Sequence, residues 1–253
     1  GKTRLALELA KRFGGEVISA DSRQVYRYMD IGTAKPSLVE RSTVAHHLID
    51  VVDPDEGYSL ALFLDQAKEA IRQVQERSRL PMLVGGTGQY VWALLEGWQV
   101  PRYPPARELR GSLERRAGSE GPDALHAELA RLDPEAAARI DRRNVRRVVR
   151  ALEIVLSSPD LACRQGERKI APVYDTMVLG LTLDRPALYR RINSRVDAMI
   201  EGDWIEEVRT LLGRGYGPDL PALSSLGYRE LVEHLADAVS LPEAVERIKG
   251  RTR

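Results

Sequence analysis

The residues best suited to chemistry lie at the start of the sequence and at the ends of two apolar runs. Gly1-Lys2-Thr3 leads directly into a stretch with Leu5, Leu7, Leu9 and Ala10, closed by Gly14-Gly15, and then into Val17-Ile18-Ser19-Ala20. That order reads as the last residues of a phosphate-binding loop, the helix it opens, and the next strand. A tripeptide alone is weak, because a plain helix start has the same composition. Its place before a helix and a second strand strengthens it. Asp21 follows the first apolar run, and Thr87 follows Pro81-Met82-Leu83-Val84 within Gly85-Gly86-Thr87-Gly88. In parallel α/β folds, ligands bind outside the carboxyl ends of strands, which is where this carboxylate and this hydroxyl would stand.

A different chemistry shows in Arg139, Arg142, Arg143, Arg146, Arg147 and Arg150. On one 3.6-residue helix these positions share a face, while Val145, Val148, Val149, Leu152, Val155 and Leu156 lie broadly opposite. Six guanidinium groups with only Asp141 and Glu153 nearby would repel one another unless an anion faced them. The alternative is a solvated charged face. The density of the stripe favours a polyanion such as nucleic acid.

The elements needed to position these groups alternate. A polar helix over residues 60–79 precedes the 81–84 strand, and residues 89–96 follow as a helix. Such alternation predicts a parallel α/β sheet. Past Gly97 the character changes. Pro101, Pro104 and Pro105 interrupt the chain, and residues 106–156 read as successive helices in which arginines outnumber acids. Val178-Leu179-Gly180-Leu181-Thr182-Leu183 then reads as a returning strand, with helices over 186–214 and 227–250. The expected organisation is a catalytic core of residues 1–102 and 169–253, with a helical insertion at 103–168.

Composition sets outer limits. The 253 residues are 43% hydrophobic and 30% charged, which excludes wholesale disorder. No apolar run reaches the roughly 18 residues that would span a bilayer, so no membrane role is expected. One cysteine, Cys163, rules out a disulfide within this chain or a multi-cysteine zinc site, and fits a reduced, cytoplasmic setting. A net charge of +1 argues against an indiscriminately basic coat, though it is silent on local patches.

Several ordered segments resemble the tRNA dimethylallyltransferases, the isopentenyltransferases that act on an anticodon-loop adenosine. They are Asp21-Ser22-Arg23-Gln24-Val25-Tyr26, Asp30-Ile31-Gly32-Thr33-Ala34-Lys35-Pro36, His46-His47-Leu48-Ile49-Asp50 and Gly85-Gly86-Thr87-Gly88-Gln89-Tyr90. The run from Asn144 to Glu153 and Leu226-Gly227-Tyr228-Arg229-Glu230 complete the set. The Asp30–Pro36 block is the most specific.

The resemblance implies a P-loop NTPase-like parallel core with an all-helical insertion domain. It implies transfer of a dimethylallyl group from dimethylallyl diphosphate to N6 of adenosine 37, beside the anticodon, with Mg2+ as cofactor. Gly1, Lys2, Thr3 and Arg195 would hold the diphosphate, with Thr3 on the metal; Arg191 is the lesser candidate for the role of Arg195. Asp21 would be the general base, since an aromatic amine is a weak nucleophile and must lose a proton as its new bond forms. As a carboxylate alone, Asp21 reads equally as a cap or a metal-linked acid. Thr87 would stand near the reacting centre and the RNA.

The acceptor base would be flipped into a channel between core and insertion. Asp21, Ser22, Arg23, Gln24 and Thr87 would meet the tRNA there, with Arg146, Arg147, Val148, Val149 and Arg150 as a second contact with the anticodon stem-loop. A monomer is expected. Asp30, Lys35, His46 and His47 carry no assigned chemistry and are read as structural.

In the family the phosphate loop begins before Gly1 and the last helix runs past Arg253. The stretch Leu156-Ser157-Ser158-Pro159-Asp160 also reads as shorter and less regular than the family pattern. Three competitors share parts of these features. A P-loop small-molecule kinase would explain Gly-Lys-Thr but neither the arginines nor the Asp30–Pro36 block. An adenylate isopentenyltransferase would use the same donor but need no helical RNA surface. A non-catalytic RNA-binding module would not need Lys2 and Asp21.

Overall fold

In the computed structural model, residues 1–100, 106–157 and 174–253 are described; Cys163, the three prolines at 101, 104 and 105, and residues 158–160 fall outside them. The chain divides into two compact units, Gly1–Glu96 with Pro172–Arg253, and Gly97–Ala171.

The first unit begins with α1 (Lys2–Phe13), whose Ala6, Leu7 and Ala10 turn inward. Gly14 ends it in the left-handed region, φ 63°, a conformation that favours glycine. Strand β1 (Gly15–Ala20) follows and is buried along its whole length. It is the middle strand of a parallel sheet ordered β2-β1-β3, where β2 is His46–His47 and β3 is Leu80–Gly85. Burial on both faces explains why β1 is apolar or small rather than alternating, apart from Glu16, whose buried carboxylate is paired with Arg77 and lies 2.8 Å from His47. Gly85 pairs with Ala20, and a Cβ there would lie 2.1 Å from the Ala20 carbonyl oxygen. That close approach is what the first glycine of Gly85-Gly86-Thr87-Gly88 permits.

The remaining elements of this unit are α2 (Leu38–Thr43), α3 (Leu60–Glu76), α4 (Gly88–Leu95), and four helices towards the C-terminus: α9 (Arg185–Glu201), α10 (Trp204–Gly213), α11 (Tyr228–Leu235) and α12 (Leu241–Thr252). The expected helices at 186–214 and 227–250 are thus each divided. The breaks fall at Gly202-Asp203 and around Asp237, with φ of 68° at Asp203 and 56° at Asp237. One core joins the chain after β1 (Val25, Tyr26, Met29) to Trp204, Val208, Leu211, Tyr228 and Leu231. Trp204 fills the space beside two glycines: a Cβ on Gly32 or on Gly227 would fall 2.1 Å from its ring. The glycines in the Asp30–Pro36 and Leu226–Glu230 segments therefore make room for one indole.

The strand expected at Val178–Leu183 does not form. Residues 178–183 join no ladder among the described residues, and Val178, Leu179 and Leu181 are 63%, 60% and 54% exposed. An apolar run carries strand propensity, but a strand exists only where a neighbour offers backbone partners.

The second unit is helical throughout its described residues: α5 (Arg107–Glu120), α6 (Pro122–Leu132), α7 (Pro134–Arg139) and α8 (Val145–Ser157). Leu113, Leu125, Leu129, Val148, Val149 and Leu152 form its core. The single helical face expected for the six arginines is broken. Arg139 ends α7, Arg142 and Arg143 lie in a turn, and only Arg146, Arg147 and Arg150 ride on α8. Asp141 accepts the Arg143 N–H at 2.9 Å and Asn144 the Arg147 N–H at 3.3 Å. These short polar side chains offer the backbone an alternative to helix continuation and restart the next helix. None of the described helices is long and apolar enough to cross a membrane.

Candidate active site

A small cleft in the first unit is lined by Lys2, Thr3, Ser19, Asp21, Gln24 and His46, among others. Lys2 and Thr3 stand in the first turn of α1, where backbone N–H groups and the helix dipole present positive character. Further cations gather there. The charges of Arg191, Arg4, Lys2 and Arg195 all bear on Gly1. Arg191 and Arg195 thus both bear on the α1 terminus.

Asp21 sits where β1 ends. Its Oδ1 accepts the backbone N–H groups of Arg23 at 2.9 Å and Gln24 at 3.4 Å, folding the chain into a tight turn around the carboxylate. Thr87 closes the other side. Its N–H donates to the Ala20 carbonyl at 3.1 Å, and its Oγ1 accepts the Ser22 N–H at 3.0 Å and lies 3.3 Å from Ser22 Oγ. Asp21, Ser22 and Thr87 therefore form one assembly at the adjacent ends of β1 and β3. Gln24 is fully engaged within the protein. Its Nε2 donates to the carbonyls of Thr33 and Ala34, both at 3.2 Å, and its Oε1 accepts from Ser19 Oγ at 3.2 Å. The Arg23 guanidinium donates to the Pro221 carbonyl at 3.0 Å.

The Asp30–Pro36 segment is fastened from two directions. The Glu207 carboxylate, one turn beyond Trp204 on α10, accepts the N–H groups of Asp30 and Ile31, each at 2.7 Å, and of Gly32 at 3.2 Å. The Tyr228 hydroxyl donates to it at 2.6 Å. On the other side, Lys35 has a side chain only 1% exposed and donates to the Tyr26 carbonyl at 2.6 Å, Asp50 at 2.5 Å and Asp30 at 2.8 Å. Lys35 and Asp30 are thereby given a positioning role that the sequence left unassigned. Glu207 was not foreseen; its one signal is a carboxylate on the apolar side of a helix, between Trp204 and Val208.

The two adjacent histidines point apart. His47 Nε2 lies 2.8 Å from Glu16, whereas His46 reaches the cleft. His46 Nδ1 is 2.7 Å from the Val44 carbonyl, and Nε2 is buried without a hydrogen-bond partner among the described residues. Burial, more than any neighbour, holds its pKa below the usual histidine value.

In the helical unit the arginines divide. Arg150 and Arg110 bind the buried Glu153 at 2.8 and 2.7 Å; burial opposes that charge, but the two guanidinium groups hold its pKa below the ordinary range. Arg142 pairs with Asp123 at 3.3 Å, a partner not anticipated. Arg146 and Arg147 are exposed and join no ion pair among the described residues. Val148 and Val149, 1% and 2% exposed, turn into the helical core.

With this geometry in place, similarity adds the lineage. A family model described as IPP transferase matches residues 24–253. The chain belongs to the IPP transferase family. It is 54% identical over 252 residues to a tRNA dimethylallyltransferase of Thermomicrobium roseum, covering 100% of this chain and 76% of that protein. Another tRNA dimethylallyltransferase, from Roseiflexus castenholzii, is 53% identical, covering 100% and 82%.

Among solved structures, the tRNA isopentenylpyrophosphate transferase of Bacillus halodurans superposes with a TM-score of 0.69 at 43% identity, over 99% of this chain and 78% of that one. A eukaryotic dimethylallyltransferase acting on tRNA gives 0.82 at 31% identity, over 100% and 64%. The IPP transferase fold of this chain is accordingly the expected P-loop NTPase-like parallel core with a helical insertion.

Proposed function

We propose that this chain transfers a dimethylallyl group from dimethylallyl diphosphate to N6 of adenosine 37 in tRNA, releasing diphosphate. The observation that carries the reading is one cleft bordered by both Lys2-Thr3 in the first turn of α1 and the carboxylate of Asp21. One end suits an anionic leaving group; the other suits proton removal. In the reaction the C1–O bond of the donor breaks and the N6–C1 bond forms. The oxygen of the departing diphosphate keeps the bonding electron pair, and one N6 proton passes to the free Oδ2 of Asp21. Positive charge from Lys2, Arg191 and Arg195, together with the α1 N–H groups, stabilises the departing anion. Ser22 and Thr87 border the approach of the RNA, and exposed Arg146 and Arg147 supply phosphate contacts in the helical unit.

The residues also fit Mg2+. A magnesium ion is held by few protein oxygens plus phosphate oxygens and water. The cleft offers the Thr3 hydroxyl with Ser19 and Asp21 nearby, and the described residues hold no cluster of three or more His, Cys, Asp or Glu side chains that would form an all-protein cage. When bound, the ion would offset charge on the diphosphate. On this reading the chain works as a monomer in the cytoplasm.

Incubating the protein with labelled dimethylallyl diphosphate, Mg2+ and either tRNA or AMP tests the reading. Label is expected in tRNA that carries adenosine 37. Label only in AMP would make the protein an adenylate isopentenyltransferase, and label in neither would overturn the prenyl-transfer reading.

A further inference from the structure

Buried polar atoms are almost always paired, so an orphan lining a reaction cleft calls for an explanation. His46 supplies one. A carbonyl oxygen can only accept, so the 2.7 Å contact with Val44 puts the ring hydrogen on Nδ1. Nε2 then carries a lone pair, and that atom is the buried one without a partner among the described residues.

The lone pair selects what can face it. Diphosphate oxygens and prenyl carbons offer no hydrogen to a neutral imidazole nitrogen. The exocyclic amine of an adenine offers two. One of these belongs to Asp21, whose Oδ1 is occupied by the Arg23 and Gln24 N–H groups and whose Oδ2 remains open. The second needs another acceptor. Gln24 Oε1 already accepts from Ser19, Gln24 Nε2 and Lys2 are donors, and the Thr3 hydroxyl belongs to the α1 end of the cleft. Among these cleft groups His46 Nε2 is the buried acceptor with no partner of its own. A 6-oxo purine would turn a carbonyl lone pair against that nitrogen, so the same atom would reject guanine and hypoxanthine.

We propose that His46 is a specificity-determining residue, its Nε2 accepting the second N–H of the acceptor adenine's 6-amino group while Asp21 takes the first. The inference rests on the prenyl-transfer reading above.

The test compares two anticodon stem-loop RNAs, one with adenine and one with unsubstituted purine at position 37. The wild-type protein should bind the adenine RNA more tightly. The His46→Phe substitution should reduce that preference about 3- to 10-fold, the worth of one hydrogen bond, and leave affinity for the purine RNA unchanged. His46→Gln, with an amide oxygen able to reach a similar point, should recover part of the preference. Histidine 15N resonances of the wild-type protein give a reading independent of any variant's folding. The His46 Nε2 signal should move with the adenine RNA and stay in place with the purine RNA.

An unchanged preference in His46→Phe, an equal loss for both RNAs, or an Nε2 signal indifferent to the amine would overturn the assignment. Transfer of label by the wild-type protein to the adenine RNA is measured alongside. Its absence would remove the prenyl-transfer reading itself, whereas transfer with an indifferent His46 would remove only this inference.

Discussion

The turn after β1 and the arginine segment leading into α8 are both polar, but they are held in opposite ways. Around Asp21, backbone N–H groups, Thr87, Gln24 and the Asp30–Pro36 segment interlock, and Glu207 fastens that segment from a helix far along the chain. Around Arg146 and Arg147, the backbone is fixed by valines and a leucine beneath it, while the guanidinium groups project into solvent. A group that exchanges a proton with a bound base must be placed to a fraction of an ångström. A charge that attracts a phosphate backbone acts over several ångströms and tolerates movement. The contrast therefore separates a region built for placement from one built for attraction.

The sharpest way to break the first region is Asp21→Asn. The amide keeps the size of the side chain and an oxygen to accept the Arg23 and Gln24 N–H groups, but it cannot take the proton. Turnover should fall about 100- to 10,000-fold, the usual worth of a positioned general base, with tRNA affinity nearly unchanged. Single-turnover label transfer and a filter-binding titration on the same preparation would separate the two. Unchanged turnover would take the base role from Asp21.

What the sequence discloses and what it conceals divides along the same line. Helix α1, strand β1 and strand β3 are legible because their signals are local: an apolar run bounded by glycines, or a run between polar helices. So is the pairing of Asp21 with Thr87, since both follow parallel strands that prove to be neighbours. The stretch 178–183 misleads because an apolar run specifies burial without specifying a partner. The arginine stripe misleads because spacing alone ignores Asp141 and Asn144, whose side chains end one helix and start another. Glu207 and His46 are opaque for a different reason. Glu207 acts through contacts across 21 to 177 residues of sequence, and the role proposed for His46 rests on a ring nitrogen buried without a partner among the described residues.

Glu207 tests whether placement really depends on that distant fastening. Glu207→Ala would strip an acceptor from three backbone N–H groups and the Tyr228 hydroxyl, and should lower stability by about 2–3 kcal/mol in a denaturant titration. Glu207→Gln keeps the shape and part of the acceptor capacity, and should lower stability by about 1 kcal/mol. The more telling readout is kinetic. The Gln variant should turn over about tenfold more slowly through misplacement of the acceptor end, while KM for dimethylallyl diphosphate stays constant, because the network touches Gln24 and not the α1 terminus. Equal changes in kcat and in donor KM would reduce Glu207 to a general structural strut.

The smallest effect belongs to the region of attraction, and the choice of residues decides whether it can be read at all. Arg150 is a poor probe, because its removal would weaken the buried Glu153 cluster and confound binding with stability. Arg142 is engaged with Asp123. Arg146 and Arg147 are exposed, joined to no ion pair among the described residues, and sit above valines that keep α8 folded whatever the surface carries. Replacing both with alanine should leave the melting temperature and kcat at saturating tRNA almost unchanged. Affinity for tRNA should fall roughly tenfold at near-physiological salt, and the slope of log K against log salt should shrink by about 1 for each arginine lost. The slope is the decisive quantity, since a local rearrangement would lower affinity without altering counterion release. A slope equal to that of the wild type would mean that these two guanidinium groups belong to a solvated face, and that attraction of the RNA resides elsewhere in the chain.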